Sequence, residues 1–195
     1  MRNLSPLVRD ALCSLAIVAA LGAPNAARAD VRIDPNHTSA TFSVKHLTLT
    51  TVSGKIALKD AAIAIAADDT LTSAHADLDL STIDTQVADR DDDLKSDHWF
   101  DVAKYPTMTF ESTKITGDRS ALTVVGDLTF HGKTNPVILT AKYEGSIKDP
   151  RGRTHIGYTA TGVIDRSLWD LGPNFPTAVV ANEITITIEL EAIVT

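Results

Sequence analysis

The sequence predicts an all-β protein, an antiparallel eight-stranded barrel with one short helical insertion. Three observations carry that prediction. Apolar and polar residues alternate with period 2 through most of the chain, as half-buried strands require. Short turn signals separate the alternating runs. Only two stretches, residues 86–98 and 166–177, break the pattern. A sheet of eight or nine strands must close or fold over to protect its edges. Eight strands closed on themselves leave an interior that side chains fill or that holds one small ligand. A sandwich is the architectural alternative.

Residues 1–29 read as an address rather than as structure. Arg2 and Arg9 form a basic start, residues 11–23 (ALCSLAIVAALGA) a short apolar run, and Ala27-Arg28-Ala29 a small-residue cleavage site. The apolar run falls short of the ~20 residues that span a bilayer. The expectation is a signal peptide over 1–29, cleaved, and a mature barrel domain over 30–195 that is periplasmic or secreted. The single cysteine, Cys13, falls in the leader, so the mature chain is held by its core and not by disulfides. Removing Arg2, Arg9, Arg28 and Asp10 with the leader leaves 15 basic against 24 acidic residues, a balance of −9. That argues against a nucleic-acid partner, whose binding rests on phosphate neutralisation.

The elements follow in order. Ala40, Phe42 and Val44 share one face of the first clear strand. Val52, Gly54, Ile56 and Leu58 form the next, and Ile63 and Ile65 follow a turn expected at Lys59-Asp60. Ala74, Ala76, Leu78 and Leu80 alternate with His75, Asp77 and Asp79. Residues 86–98 are dense in charge around Leu94 and read as a helix. Met108 and Phe110 resume the alternation, then Leu122, Val124, Gly126, Leu128 and Phe130. Val137, Leu139, Ala141 and Tyr143 come next, then Ile156, Tyr158, Ala160 and Gly162. Ile184, Ile186, Ile188 and Leu190 close the chain. Thr116-Gly117-Asp118, His131-Gly132-Lys133 and Asp149-Pro150-Arg151-Gly152 read as hairpin connections. Residues 166–177 form a loop broken by Pro173 and Pro176.

Chemical motifs are sparse. Asp89, Asp91 and Asp93 have the first spacings of a calcium loop, but Leu94 and Phe100 stand where it needs glycine and an acid. The acidic run therefore reads as a solvated helix face. The six histidines are scattered without zinc spacing, and no metal or cofactor is expected. There is no nucleophile elbow and no mature cysteine, so no catalysis is expected. The aromatics say more. Trp99, Phe100, Tyr105, Phe110, Trp169 and Phe175 gather around the two irregular stretches. Such a cluster either plugs a barrel end or lines a pocket for an apolar ligand. In the second case His46, Arg90, Asp165 and Arg166 are candidates for its polar end. Gly54, Gly126 and Gly162 lie on apolar faces, where missing side chains leave room for a tail or mark bends.

At these residues the chain resembles the YceI-like family of periplasmic polyisoprenoid-binding proteins. The first block is His37-Thr38-Ser39-Ala40-Thr41-Phe42-Ser43-Val44-Lys45-His46-Leu47 with Val52-Ser53-Gly54-Lys55. The second runs through Ser81-Thr82-Ile83-Asp84-Thr85, Arg90-Asp91, Leu94-Lys95-Ser96, Phe100-Asp101-Val102, Tyr105-Pro106 and Thr109-Phe110-Glu111-Ser112. Gly126-Asp127-Leu128-Thr129 with His131-Gly132 and Lys133-Thr134 makes the third, and Asp165-Arg166-Ser167 the fourth. The chain departs from the family at Thr48 to Thr51 and at Leu168-Trp169-Asp170. The resemblance implies a lipocalin-like barrel that holds an isoprenoid, polyprenyl or quinone-like lipid as a non-catalytic carrier; the alternatives are an exported enzyme acting on a lipid or its headgroup, and a ligand-free, stress-associated secreted domain. Inward Phe42, Val44, Met108, Phe110, Ile156 and Tyr158 would line its bore, although alternation alone does not fix which parity faces in. Trp99, Phe100 and Trp169 would meet the lipid near the mouth, with His46, Arg90 and Arg166 as polar companions. Nucleic acid and stable membrane insertion are not expected as partners, and a homodimer is left open.

Overall fold

The computed structural model describes residues 31–194; the leader predicted over 1–29, with its cleavage site and Cys13, lies outside the described residues. One antiparallel sheet contains nine strands. They are β1 (Val31–Ile33), β2 (Ser39–His46), β3 (Thr50–Ile65), β4 (Leu71–Asp84), β5 (Thr107–Asp118), β6 (Ala121–Phe130), β7 (Lys133–Lys148), β8 (Thr154–Asp165) and β9 (Val180–Val194). The spatial order is β1-β9-β2-β3-β4-β5-β6-β7-β8, and β9 also pairs with β8 from Asp165↔Glu183 to Thr154↔Val194. Strands β2 to β9 therefore close into an eight-membered ring. Each strand of the ring has a neighbour on both sides, where a sandwich would leave edge strands.

The ninth strand is an addition to the predicted eight. β1 pairs with the last residues of β9, Val31↔Val194 to Ile33↔Ala192. β2 takes the same edge of β9 further along, Ser39↔Glu189 to His46↔Val180. Two short strands thus share one long neighbour, with residues 34–38 turning between them.

Two expected turns are instead irregularities inside strands. β3 runs through Lys59-Asp60 with register shifts on either side of Ala57-Leu58. A β-bulge inserts one residue and flips the phase of the alternation. It explains why Ile56 and Leu58 are even-numbered while Ile63 and Ile65 are odd. Gly117 likewise lies inside β5, at φ 102°, and the β5–β6 loop is Arg119-Ser120. The connection at His131-Gly132 is as predicted: both residues have positive φ, 49° and 72°, the combination a two-residue hairpin turn of matching twist requires.

The connections sort to two ends. Residues 34–38, 66–70, 119–120 and 149–153 lie at one, and residues 47–49, 85–106, 131–132 and 166–179 at the other. The first end is plugged by the barrel's own side chains, among them Ile65, Leu122, Ile156, Tyr158 and Ala192. The second is roofed by the irregular segments, which bury Trp99, Phe100, Trp169 and Leu171 against Leu128, Phe130 and Ile164. Helix α1 (Ala88–Lys95) occupies only the middle of the predicted helical stretch. Arg166–Trp169 forms one turn of 3-10 helix. No helix among the described residues is long and apolar enough to cross a membrane.

Candidate functional site

Between the plug and the roof lies a cavity of about 380 Å³. The inward parity is now fixed. On β2 it is the even set, and Phe42, Val44 and His46 all line the cavity. On β5, Met108 and Phe110 line it, and on β8, Tyr158. Tyr158 keeps its hydroxyl satisfied by donating to Asp69 O at 2.6 Å, so it presents only its ring. Ile156, predicted to share this wall, is fully buried in the plug beyond it.

The space itself comes from alanine. Ala40, Ala61, Ala74, Ala76, Ala141 and Ala160 line the cavity on five strands. The glycines do not supply it. A Cβ on Gly54 would stand 2.6 Å from the Phe42 ring, and one on Gly126 2.5 Å from the Phe110 ring. At Gly162 the Leu139 side chain takes the place, at 2.5 Å. Each glycine is a seat for a neighbouring strand's side chain rather than a void.

The roof carries most of the polar candidates. Trp99 stacks on Phe175 with ring centroids 4.7 Å apart, and its indole N–H donates to Asp93 Oδ2 at 2.9 Å. Phe100 meets Phe130 edge-on at 5.0 Å. Both Trp99 and Phe100 line the cavity. Arg90 reaches its wall from α1, with Nε donating to Thr85 Oγ1 at 2.8 Å and Nη2 to Thr85 O at 3.0 Å. Asp91 completes that seat by accepting from the Thr85 N–H at 2.8 Å and its hydroxyl at 2.5 Å. Two members of the acidic run thus turn inward, Asp91 to Thr85 and Asp93 to Trp99. The face is not merely solvated.

Arg166 is 3% exposed and lines the cavity beside the Trp99 ring, 5.7 Å from its centroid. Its guanidinium is committed to the protein. Nε donates to Ala181 O, Nη1 to Leu171 O and Gly172 O, and Nη2 to Phe175 O and Val180 O, at 2.6 to 3.2 Å. Burial pushes this guanidinium down from its usual range, and the Asp165 charge opposes the shift. Asp165 itself is a cap: its Oδ1 accepts from Ser167 N at 2.9 Å and Ser167 Oγ at 2.7 Å, which holds it below the usual carboxylate range. Trp169 lies behind the lining, fully buried, with its indole N–H on Leu128 O at 3.1 Å.

What the arrangement offers chemically is an apolar enclosure with a few polar groups at its roofed end: His46, Arg90, Asp93 and Arg166. The exposed Leu47 and Leu49 stand on the β2–β3 turn at the same end. Sequence reading passed over the wall built by Ile184, Ile186 and Ile188 of β9 and by Leu58, Ala61 and Ile63 of β3. The β9 alternation was visible, but not its facing; the β3 set was hidden by the bulge. Asp34, His37 and Glu191 could hold a metal ion, away from the roof.

A family model described as a YceI-like domain matches residues 32–192. A UPF0312 protein of Ectopseudomonas mendocina is 31% identical over 188 residues, covering 94% of this chain and 98% of its own. Protein YceI of Escherichia coli O157:H7 is 32% identical over 180 residues, covering 88% and 90%. Among solved structures, the YCEI protein of Campylobacter jejuni matches with a TM-score of 0.68 at 28% identity, over 77% of this chain and 90% of that one. A polyisoprenoid binding domain from Saccharophagus degradans matches with a TM-score of 0.60 over 85% and 98%; at 14% identity the likeness is one of fold.

Proposed function

This chain belongs to the YceI-like domain family, and from that premise we propose that it is a non-catalytic carrier of an amphiphilic isoprenoid lipid. The observation that carries the reading is the enclosed cavity of about 380 Å³, walled by alanine, branched aliphatic and aromatic side chains. Each CH₂ moved from water into such a wall is worth about 0.8 kcal/mol. A polyprenyl or quinone-like tail gains from every carbon it buries, and its polar head stays at the roofed end near His46 and Arg90. The polyisoprenoid-binding description of the Saccharophagus degradans domain supports the ligand class by fold alone.

The cavity lies at the small end of the roughly 300–1,000 Å³ that enclose a small-molecule ligand. A long tail therefore needs more room than the resting barrel has. The leader over residues 1–29 supports a periplasmic or secreted location, where such a carrier would move lipid between membranes. Whether it works as a monomer or a homodimer is read in the same experiment.

Native mass spectrometry of protein purified without detergent tests the reading. A co-purifying lipid of several hundred daltons, or stoichiometric uptake of an added prenyl lipid, is expected. A ligand-free protein that takes up none sinks the proposal. Phe110→Asp places a charge on the bore and should abolish uptake with the barrel still folded by circular dichroism. Undiminished uptake by that folded variant would put the lipid elsewhere.

A further inference from the structure

At the plugged end, the turn between β1 and β2 lies against β9. Two hydrogen bonds fix it there: Asp34 N–H donates to Glu191 O at 2.8 Å, and Glu191 N–H to Thr38 Oγ1 at 3.2 Å. The turn presents His37, whose Nδ1 stands 3.2 Å from Asp34 Oδ2 and 3.9 Å from Glu191 Oε1. One ligand atom from each of the three residues falls within 4.8 Å of the others. We propose that Asp34, His37 and Glu191 form a binding site for a divalent transition cation of the zinc type.

The spacing suits such an ion. Zinc takes imidazole nitrogen and carboxylate oxygen at about 2.0–2.2 Å, which sets the edges of a tetrahedron at about 3.3–3.6 Å. The two separations from His37 Nδ1, 3.2 Å and 3.9 Å, straddle that range, and the third, between the carboxylates, is within 4.8 Å, so side-chain shifts without backbone movement can complete the triad. One imidazole with two carboxylates also selects a transition ion over calcium or magnesium, which prefer all-oxygen sets. The fourth position stays open to water, since the His37 side chain is 64% exposed.

The carboxylates are already oriented. Asp34 Oδ1 accepts the Asn36 N–H at 2.9 Å, leaving Oδ2 toward His37. Glu191 Oε1, the oxygen that faces His37, also lies 2.6 Å from His155 Nδ1, and the His155 Nε2 lies 3.3 Å from Asp149 Oδ2, so a bound ion would share that oxygen with His155. Outer partners of this kind fix ligand geometry and tune affinity. Because two backbone-anchored elements supply all three ligands, little chain must be ordered on binding. The bound ion would tie the first turn of the barrel to its last strand, at the seam where β1 and β2 share β9. The assignment is independent of what the cavity holds.

Calorimetric titration of zinc chloride into chelator-stripped protein is the test. A single site per chain is expected, weakened at least about tenfold in His37→Ala and in Asp34→Asn. Zinc should raise the thermal midpoint of the parent, and not that of His37→Ala, each measured against its own metal-free value. His98→Ala removes the other exposed histidine beside two carboxylates, Asp93 and Asp97, and should leave the titration unchanged. No binding up to about 0.1 mM zinc overturns the site. So does binding that survives both ligand variants, or that vanishes in His98→Ala.

Discussion

Arg166 and Gly54 show how single side chains hold the cavity's shape. Arg166 supplies a donor to five carbonyls from Leu171 to Ala181, so one residue closes the loop that roofs the barrel. Truncation leaves several buried carbonyls unsatisfied at about 1–3 kcal/mol each where water cannot enter. Arg166→Met should therefore lose about 3 kcal/mol or more in urea unfolding. Arg166→Lys should recover less than half, because an ammonium has three donors and no planar fork. An unchanged midpoint in Arg166→Met would mean the loop stands without its hub. Gly54 fails differently. A methyl group there must push the Phe42 ring into the cavity or off its strand, against Thr85 Cγ2 at 2.9 Å on the other side. Gly54→Ala should cost about 1–3 kcal/mol. Adding Phe42→Leu should then cost less than it does in the parent, a coupling that a double-mutant cycle measures.

At the scale of elements, α1 is the clearest case of structure imposed from outside. Its eight residues, ADRDDDLK, include three consecutive aspartates, its N-cap Val87 makes no side-chain cap, and none of its residues is buried. An isolated helix of this length and composition would not form. It is held by side chains reaching across the segment: Asp91 and Arg90 on Thr85, Asp93 on Trp99. Asp91→Ala should strip the partner from the buried Thr85 N–H and cost about 1–3 kcal/mol. Amide exchange over residues 85–100 should quicken while the strands keep their protection. Exchange that rises uniformly would assign Asp91 to global stability instead. A simpler device recurs within β4 and at the ends of β5 and β8. Asp79, Asp118 and Asp165 each accept both the N–H and the hydroxyl of the serine two residues on. This Asp-x-Ser turn can be read from sequence, because both partners lie within one local segment.

For the whole molecule, these turns bear on how stability responds to acid. Serine hydrogen bonds hold the Asp79, Asp118 and Asp165 carboxylates below their ordinary 3.8. At Asp149 burial acts upward, yet the bonds from Arg153, His155 and the Arg151 N–H outweigh it and hold the group well down. A carboxylate lowered in the folded state contributes its stability above the unfolded value and loses it as pH falls through the folded one. The thermal midpoint should thus be insensitive to these groups near neutrality and fall as the pH drops through and below about 4. Replacing Asp79, Asp118 and Asp165 together by Asn should flatten that fall. An unaltered slope would place the acid sensitivity elsewhere.

Alternation determined the antiparallel sheet, because period 2 reports burial on one face, and the need to protect a large sheet's edges favoured a barrel over a sandwich. The ordered blocks from His37 to Ser167 determined the family. Local chemistry was equally legible, in the hairpin at His131-Gly132 and the gathering of aromatics at one end. Tertiary structure decided the rest. Parity became inward only when the ring closed, and the β3 bulge flipped it midway. Gly54 and Gly126 turned from open space into ring seats because Phe42 and Phe110 lie on neighbouring strands. Arg166 acquired its five carbonyl partners because residues 171–181 fold back over it. Each of these depends on contacts between residues distant in sequence, and neither periodicity nor local propensity carries information about what stands across the barrel.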